Sequence, residues 1–189
     1  MRSHGSNGSE QRQAIIARAV ETIREKGIAG LTVRALARRL GCSPATFYLY
    51  FTNKRSLLGE VARVGFHQLQ ERIEAAASEN DPLEALSGLA QAYLAFARED
   101  PELHRLMFPP DAHPLAERRR FFQVTRGVMQ RGIEAGKLRG SDAQPMALAF
   151  GCMLRGIQQL ESSERALGVA GSGDLAPRVL EEGLSLLQA

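Results

Sequence analysis

The densest set of chemically able side chains in this 189-residue chain lies in residues 31–57, LTVRALARRLGCSPATFYLYFTNKRSL. Thr32, Ser43, Thr46 and Asn53 supply short polar groups, Tyr48 and Tyr50 phenols, and Arg34, Lys54 and Arg55 fixed cations. No nucleophile stands beside a base in this run. What the set suits is the oxygen of a phosphate and the edge of a base. Lys54 and Arg55 carry the sharpest hint, since they fall in the first turn of a helix, where the dipole favours an anion. Taken singly, each is as readily a solvated surface charge; the whole 27-residue set is what points to nucleic acid.

The elements that must position these groups are legible in the same stretch. Thr32 is an N-cap, and Leu31 with Leu36 staples the chain's entry into a helix over about Val33–Leu40. Val33, Leu36, Ala37 and Leu40 make its apolar stripe, with Arg34 and Arg38 on the other side. Gly41 supplies the left-handed residue that ends it. Ser43 and Pro44 cap and open a short helix, Pro44–Tyr50. Phe47 and Phe51 point inward, which leaves Pro44, Ala45, Thr46, Tyr48 and Tyr50 outside. Proline, alanine and threonine make a low-profile tip for a major groove, where they meet thymine methyls and base edges, and the two tyrosines suit phosphates. The pattern is a helix-turn-helix.

Residues 15–58, about a quarter of the chain, resemble the DNA-binding domain of the TetR family of bacterial transcriptional regulators. The matching residues are Ile16, Ala19, Gly27, Leu31-Thr32-Val33-Arg34, Ala37, Gly41, Ser43, Thr46, Tyr48, Phe51, Lys54 and Leu57. Cys42, Tyr50 and Arg55 depart from the family's common valine, histidine and acid. The resemblance implies a homodimer, a variable helical C-terminal ligand domain, and repression relieved by a small molecule. It also implies that Thr32, Thr46, Tyr48 and Lys54 meet the DNA backbone or anchor the reading helix.

Charge supports the division. Residues 1–58 carry 10 Lys and Arg against 3 Glu, a balance of +7, and residues 59–189 carry 14 against 18, a balance of −4. A basic head on an acidic body suits one surface for DNA and another for something else. Cys42 and Cys152 lack any close-spaced partner and read as free thiols of a reducing cytoplasm. No apolar run is long enough to span a membrane, and the N-terminal residues lack the apolar stretch of a signal peptide. Residues 1–9 read as disordered, residues 10–55 as the DNA-binding domain, and residues 56–189 as a ligand-binding and dimerisation domain.

The fold class expected is all-α, with about nine helices. Gln11–Lys26 forms the first, ending at Gly27, and the fourth runs from Lys54 to about Ser78. Asp81-Pro82 and Asp100-Pro101 open two more, the second ending near Phe108. Leu115–Ala135 is long, Ser141 or Asp142 caps the next, and Asp174 the last, after a Gly168–Gly173 connection. In these last two helices Cys152, Gly156 and Gln159 share a small-residue face, and Val179, Leu180, Gly183, Leu184 and Leu187 belong to an apolar stripe. Two such helices from each subunit make a four-helix bundle across a two-fold axis.

A largely apolar effector is expected among Tyr93, Phe96, Leu103, His104, Met107, Phe121, Phe122, Thr125, Met129, Met153 and Arg155, with Arg126 a further polar candidate. Methionine and phenylalanine line adaptable pockets, and they fill ordinary cores as readily. His104, Asp111 and His113 lack an established ligand spacing, so no metal is expected. No catalytic motif or cofactor fingerprint occurs. The reading is a DNA-binding regulator acting on double-stranded operator DNA. The alternative is a helical ligand-binding or interaction protein with vestigial DNA binding.

Overall fold

The computed structural model describes residues 4–108, 116–167 and 175–188, with side chains for 8–108, 119–163 and 176–188. Among the described residues there are nine α-helices: α1 His4–Gly30, α2 Val33–Arg39, α3 Pro44–Tyr48, α4 Lys54–Ala77, α5 Pro82–Glu99, α6 Pro101–Met107, α7 Ala116–Glu134, α8 Ala143–Leu167 and α9 Leu175–Ser185. The architecture is all-α, as its periodicities predict. Asp174 and the Gly168–Gly173 connection lie outside the described residues, as do Asp111 and His113.

Helix boundaries follow local chemistry. Asp142 accepts from the Gln144 amide at 2.9 Å and so caps α8, Asp81 accepts from Leu83 at 2.8 Å ahead of α5, and Asp100 caps α6. Gly27 has φ +69°, which breaks α1 where the sequence predicts its end; a further helical turn follows to Gly30. The start of α1 differs from expectation, because residues 4–9 join the helix. Extension of an existing helix adds a hydrogen bond per residue without a new nucleus, which lets glycine- and serine-rich residues continue it.

The chain divides into two compact units, and the boundary runs through α4 at His67/Gln68 rather than at residue 55. The first unit holds α1, α2, α3, α4 as far as His67, and α6. Its core includes Ile16, Ala19, Ile23, Leu36, Phe47, Leu57, Val61 and Phe66. α6 belongs here because Gly65 of α4 leaves room for Leu103 and Met107, and because α1 packs along it. The second unit holds the remainder of α4, α5, α7, α8 and α9. There α5 packs on α7, α7 on α8 and α8 on α9, around Leu86, Leu89, Tyr93, Phe96, Val128, Met129, Phe150, Leu154 and Ile157. A short bridge pairs Leu138 with Gln188.

Candidate nucleic-acid interface

The first unit builds its outward face from caps. Thr32, with extended backbone, accepts from the Ala35 amide at 3.1 Å and starts α2. Gly41 takes φ +67°, and the Cys42 amide donates to the Ala37 carbonyl at 3.0 Å, closing the turn. Ser43 accepts from the Thr46 amide at 3.2 Å, and the two hydroxyls lie 3.1 Å apart. Thr46 is therefore tied to the cap as well as half-exposed. Below α3, Phe47 and Phe51 are buried and stacked at 5.5 Å, and Tyr48 meets Phe47 edge-on at 5.2 Å.

That inward pair fixes what faces out. Thr32, Arg34, Ser43, Pro44 and Ala45 are exposed, Tyr48 is 58% exposed, and Tyr50 is half-buried. The sequence reading omitted Leu49, which caps α3 and is 79% exposed. The inward spacing of Phe47 and Phe51 could have found it, because the residue midway between them must point away. A leucine left this bare beside Tyr48 offers an apolar surface to sugars and thymine methyls.

The start of α4 is capped reciprocally. Asn53 accepts from the Ser56 amide at 2.9 Å, and its own amide donates to the Ser56 hydroxyl at 3.3 Å. Lys54 is half-buried, with its ammonium donating to the Ile28 carbonyl at 3.2 Å. An ammonium has three donors, so this bond leaves Lys54 able to reach a phosphate as well. Arg34, Arg38 and Arg55 are exposed. Other cations of the unit are engaged within it: Arg12 pairs with Glu60 at 3.1 Å and lies over the Phe51 ring, and Arg24 pairs with Asp100 at 2.6 Å. Arg39 grips Glu25 through two nitrogens, at 2.7 and 3.1 Å. That hydrogen bond holds the Glu25 carboxyl below its ordinary range and raises Arg39.

The residues expected around an effector fall in both units. In the first, Leu103, His104 and Met107 are buried; the His104 ring lies 4.8 Å from Phe108, itself 5.3 Å from Phe66. In the second, Tyr93, Phe96, Thr125 and Met129 are buried, and Phe121, Phe122 and Met153 are half-buried. Tyr93 stands 5.9 Å from Phe121, and the Thr125 hydroxyl donates to the Phe121 carbonyl. Arg126 and Arg155 are exposed. The second unit also opens a groove of about 760 Å³ between α5 and α9, floored by Leu94 and Leu180. None of the expected effector residues lines it.

The residues expected to meet a second subunit also divide. Cys152, Gly156 and Gln159 are exposed on α8, in line with Leu148 and Leu160, which are 54% and 52% exposed. On α9, Leu180 is buried within the chain, and Gly183 abuts Met153 of α8. Val179, Leu184 and Leu187 are half-buried, with Leu184 on the groove, while Leu186 is 77% exposed. Thus α9 spends much of its stripe on its own chain. Among the described residues no group of three histidine, cysteine or acidic side chains is placed to hold a metal, and no helix is long and apolar enough to cross a membrane.

Known proteins share both parts of this architecture. Residues 15–61 match the model of bacterial regulatory proteins of the tetR family, and residues 86–183 match a tetracyclin repressor-like C-terminal domain. The class C tetracycline repressor of Escherichia coli is 46% identical over 52 residues, 28% of this chain and 24% of the repressor. The class D repressor is 45% identical over 51 residues, 27% and 23% of the two chains. The chain therefore aligns with about a quarter of the length of these curated relatives. A Rhodococcus protein of unknown function superposes with TM-score 0.80 at 26% identity, over 94% of this chain and 95% of that one. The TetR family regulator PfmR of Thermus thermophilus gives 0.67 at 25%, over 92% and 96%. The FadR regulator of Bacillus subtilis, solved with stearoyl-CoA, shares the fold with TM-score 0.71 at 22% identity, over 93% and 98%. With its capped helix-turn-helix followed by the matching C-terminal helices, this chain belongs to the TetR family of DNA-binding bacterial regulators, proteins that act by binding and not by catalysis.

Proposed function

We propose that the protein is a repressor that binds an inverted-repeat operator as a homodimer and is released by a small, largely apolar effector. The observation that carries the DNA reading is α3. Its Phe47 and the following Phe51 are buried, which leaves Ser43, Pro44, Ala45, Tyr48 and Leu49 exposed for a groove, in a unit that also exposes the cations Arg34, Arg38 and Arg55. Two such helices about 34–36 Å apart, or somewhat more, match successive major grooves. Ala45 and Thr46 read bases, while Thr32, Tyr48, Tyr50 and Lys54 hold phosphates.

Dimerisation is supported by the bare α8 face. Gly151 and Gly156 each cost about 1 kcal/mol relative to alanine inside a helix, and among the described residues nothing beyond the helix's own neighbouring backbone lies within 4 Å of a Cβ built at either. A second helix approaching closely would explain both. The effector reading draws on the buried aromatic and methionine residues of the second unit, and on the acyl thioester that FadR holds. Release from 99% bound requires an effector preference of about 5.5 kcal/mol for the non-binding form.

Sequencing genomic fragments captured by the purified protein would identify the operator, and salt titration would test the contact. Neutralising six to ten phosphates predicts a loss of roughly 10³–10⁵ in affinity between 50 and 200 mM salt. Tyr48→Ala weakens binding to all sequences, whereas Thr46→Ala changes sequence preference. Absence of salt-dependent DNA binding would leave the interaction-protein reading in its place.

A further inference from the structure

The turn after α1 is held from two sides by residues distant in sequence. Gly27, at φ +69°, redirects the chain, and the next residue, Ile28, has both backbone groups engaged by side chains. Its amide donates to Glu102 Oε2 at 3.2 Å, and its carbonyl accepts from the Lys54 ammonium at 3.2 Å as well as from the Leu31 amide at 3.3 Å. One peptide segment thus lies between an acid of α6 and the cation at the start of α4. All of these residues belong to the first compact unit.

Glu102 is itself well fixed. It lies in the first turn of α6, where a carboxylate complements the helix dipole, and it pairs with Arg105. Arg105's hydrogen bond holds its carboxyl below the ordinary range, with the Ile28 amide acting in the same direction. The neighbouring Asp100 caps α6 and binds Arg24 of α1 at 2.6 Å. The approach is close: a Cβ built on Gly27 would stand 2.9 Å from Glu102 Oε2. α6 is therefore locked to the end of α1 by two acids, of which one holds the amide of Ile28, the residue whose carbonyl holds Lys54.

We propose that Glu102 is a positioning residue for DNA binding: by holding the Ile28 amide, it fixes the place of the residue whose carbonyl, one peptide further on, aims Lys54 at a phosphate. This rests on the DNA-binding reading above. It goes beyond that reading by making an acidic residue of α6 a requirement for a phosphate contact made from α4. The sign is distinctive. Deleting an acid from a basic head tightens binding to a polyanion by charge alone, whereas loss of Lys54's support weakens it.

The test uses the full chain and one captured operator fragment, with wild type, Glu102→Ala, Glu102→Gln, Lys54→Ala and the Glu102→Ala/Lys54→Ala double variant. Glu102→Ala is expected to weaken operator binding roughly ten- to hundredfold, the equivalent of one or two charge-assisted contacts. It should also lower the salt slope by about 0.9 for each phosphate released. Glu102→Gln keeps an oxygen facing the Ile28 amide and should bind within about threefold of wild type. The double variant should match Lys54→Ala alone, since the two residues act through one contact. Hydrogen exchange at the Ile28 amide, read without DNA, should speed up in Glu102→Ala and not in Glu102→Gln. Unchanged exchange at the core amides of α4 and α5 verifies that each variant is folded.

Tighter or unchanged binding by Glu102→Ala, or multiplying effects in the double variant, overturns the proposal while leaving the DNA reading intact. A wild-type chain that shows no salt-dependent DNA binding overturns both. A Glu102→Ala chain too unstable to assay passes the decision to Glu102→Gln and Lys54→Ala. There, a Glu102→Gln chain that binds no better than Lys54→Ala, with its Ile28 amide still protected, overturns the proposal.

Discussion

The two compact units are held together by different kinds of interaction. In the first, specific polar groups fix individual peptides: Thr32 caps α2, Ser43 caps α3, Asn53 and Ser56 cap α4 reciprocally, and Glu102 grips Ile28. In the second, Asp81 and Asp142 cap two helices, but long helices burying apolar stripes carry the packing, and ion pairs such as Arg120–Glu74 between helices and Lys137–Asp81 between connecting residues are exposed. Exposed pairs of this kind contribute about 0–1 kcal/mol each. A helix that must present its tip in one orientation needs geometry fixed at single atoms. A body that responds to a partner or effector needs only mutually packed helices, which can repack at modest cost.

The largest effect that would break this contrast is in the aromatic pair under α3. Phe47→Ala should cost about 3–5 kcal/mol, the usual range for a buried phenylalanine, since Phe47 is sealed against Phe51 and Tyr48. Chemical denaturation followed by helical signal measures the loss, and DNA binding should vanish with it. A cost below about 1 kcal/mol would mean that α3 is held from outside the pair.

Glycines sharpen the comparison through opposite signs. Gly27→Ala forces a left-handed residue and meets Glu102, so it should cost about 1–3 kcal/mol. Gly151→Ala places a methyl in open space within a helix and should stabilise the isolated subunit by up to about 1 kcal/mol. Thermal unfolding at several protein concentrations separates the subunit's stability from its association. If the α8 face pairs with a second copy, the Gly151→Ala gain should shrink as the concentration rises.

What could be read from the sequence follows the same division. The Thr32 and Ser43 caps and the Gly41 turn depend on residues within five positions of one another, so the sequence displays both partners. Glu102 and Gly27 are 75 positions apart, and nothing local in Pro101-Glu102-Leu103 shows that α6 joins the first unit. For α9 the periodicity shows an apolar face and is silent on what covers it. The structure assigns Ala176, Leu180 and Gly183 to the chain's own interior and leaves Leu186 bare. Leu49 is a related case, because its apolar type carries no mark that it faces out and only its place midway between Phe47 and Phe51 shows it. The expected effector residues are mostly buried as their types predict, but burial alone does not make a cavity among them.

Acid sensitivity gives the smallest expected effect and still distinguishes the units. Among the described residues three carboxyls lie below their ordinary range, each first through a side-chain hydrogen bond from a cation: Glu25 by Arg39, Glu102 by Arg105 and Asp81 by Lys137. A depressed folded pKa means that the unfolded chain binds more protons as acid is added, so these pairs stabilise the fold fully above the unfolded carboxyl range, about pH 4, and lose their contribution as pH falls through the folded values. Their contribution should be constant between pH 7 and about 5 and decline below about 4.5. Glu25→Gln and Glu102→Gln should flatten the decline followed by exchange of first-unit amides, and Asp81→Asn that of second-unit amides. The effects should shrink with added salt, because the pairs are largely solvated. A decline that begins well above pH 5 and is untouched by these variants would place the acid-sensitive contacts away from the pairs that distinguish the units.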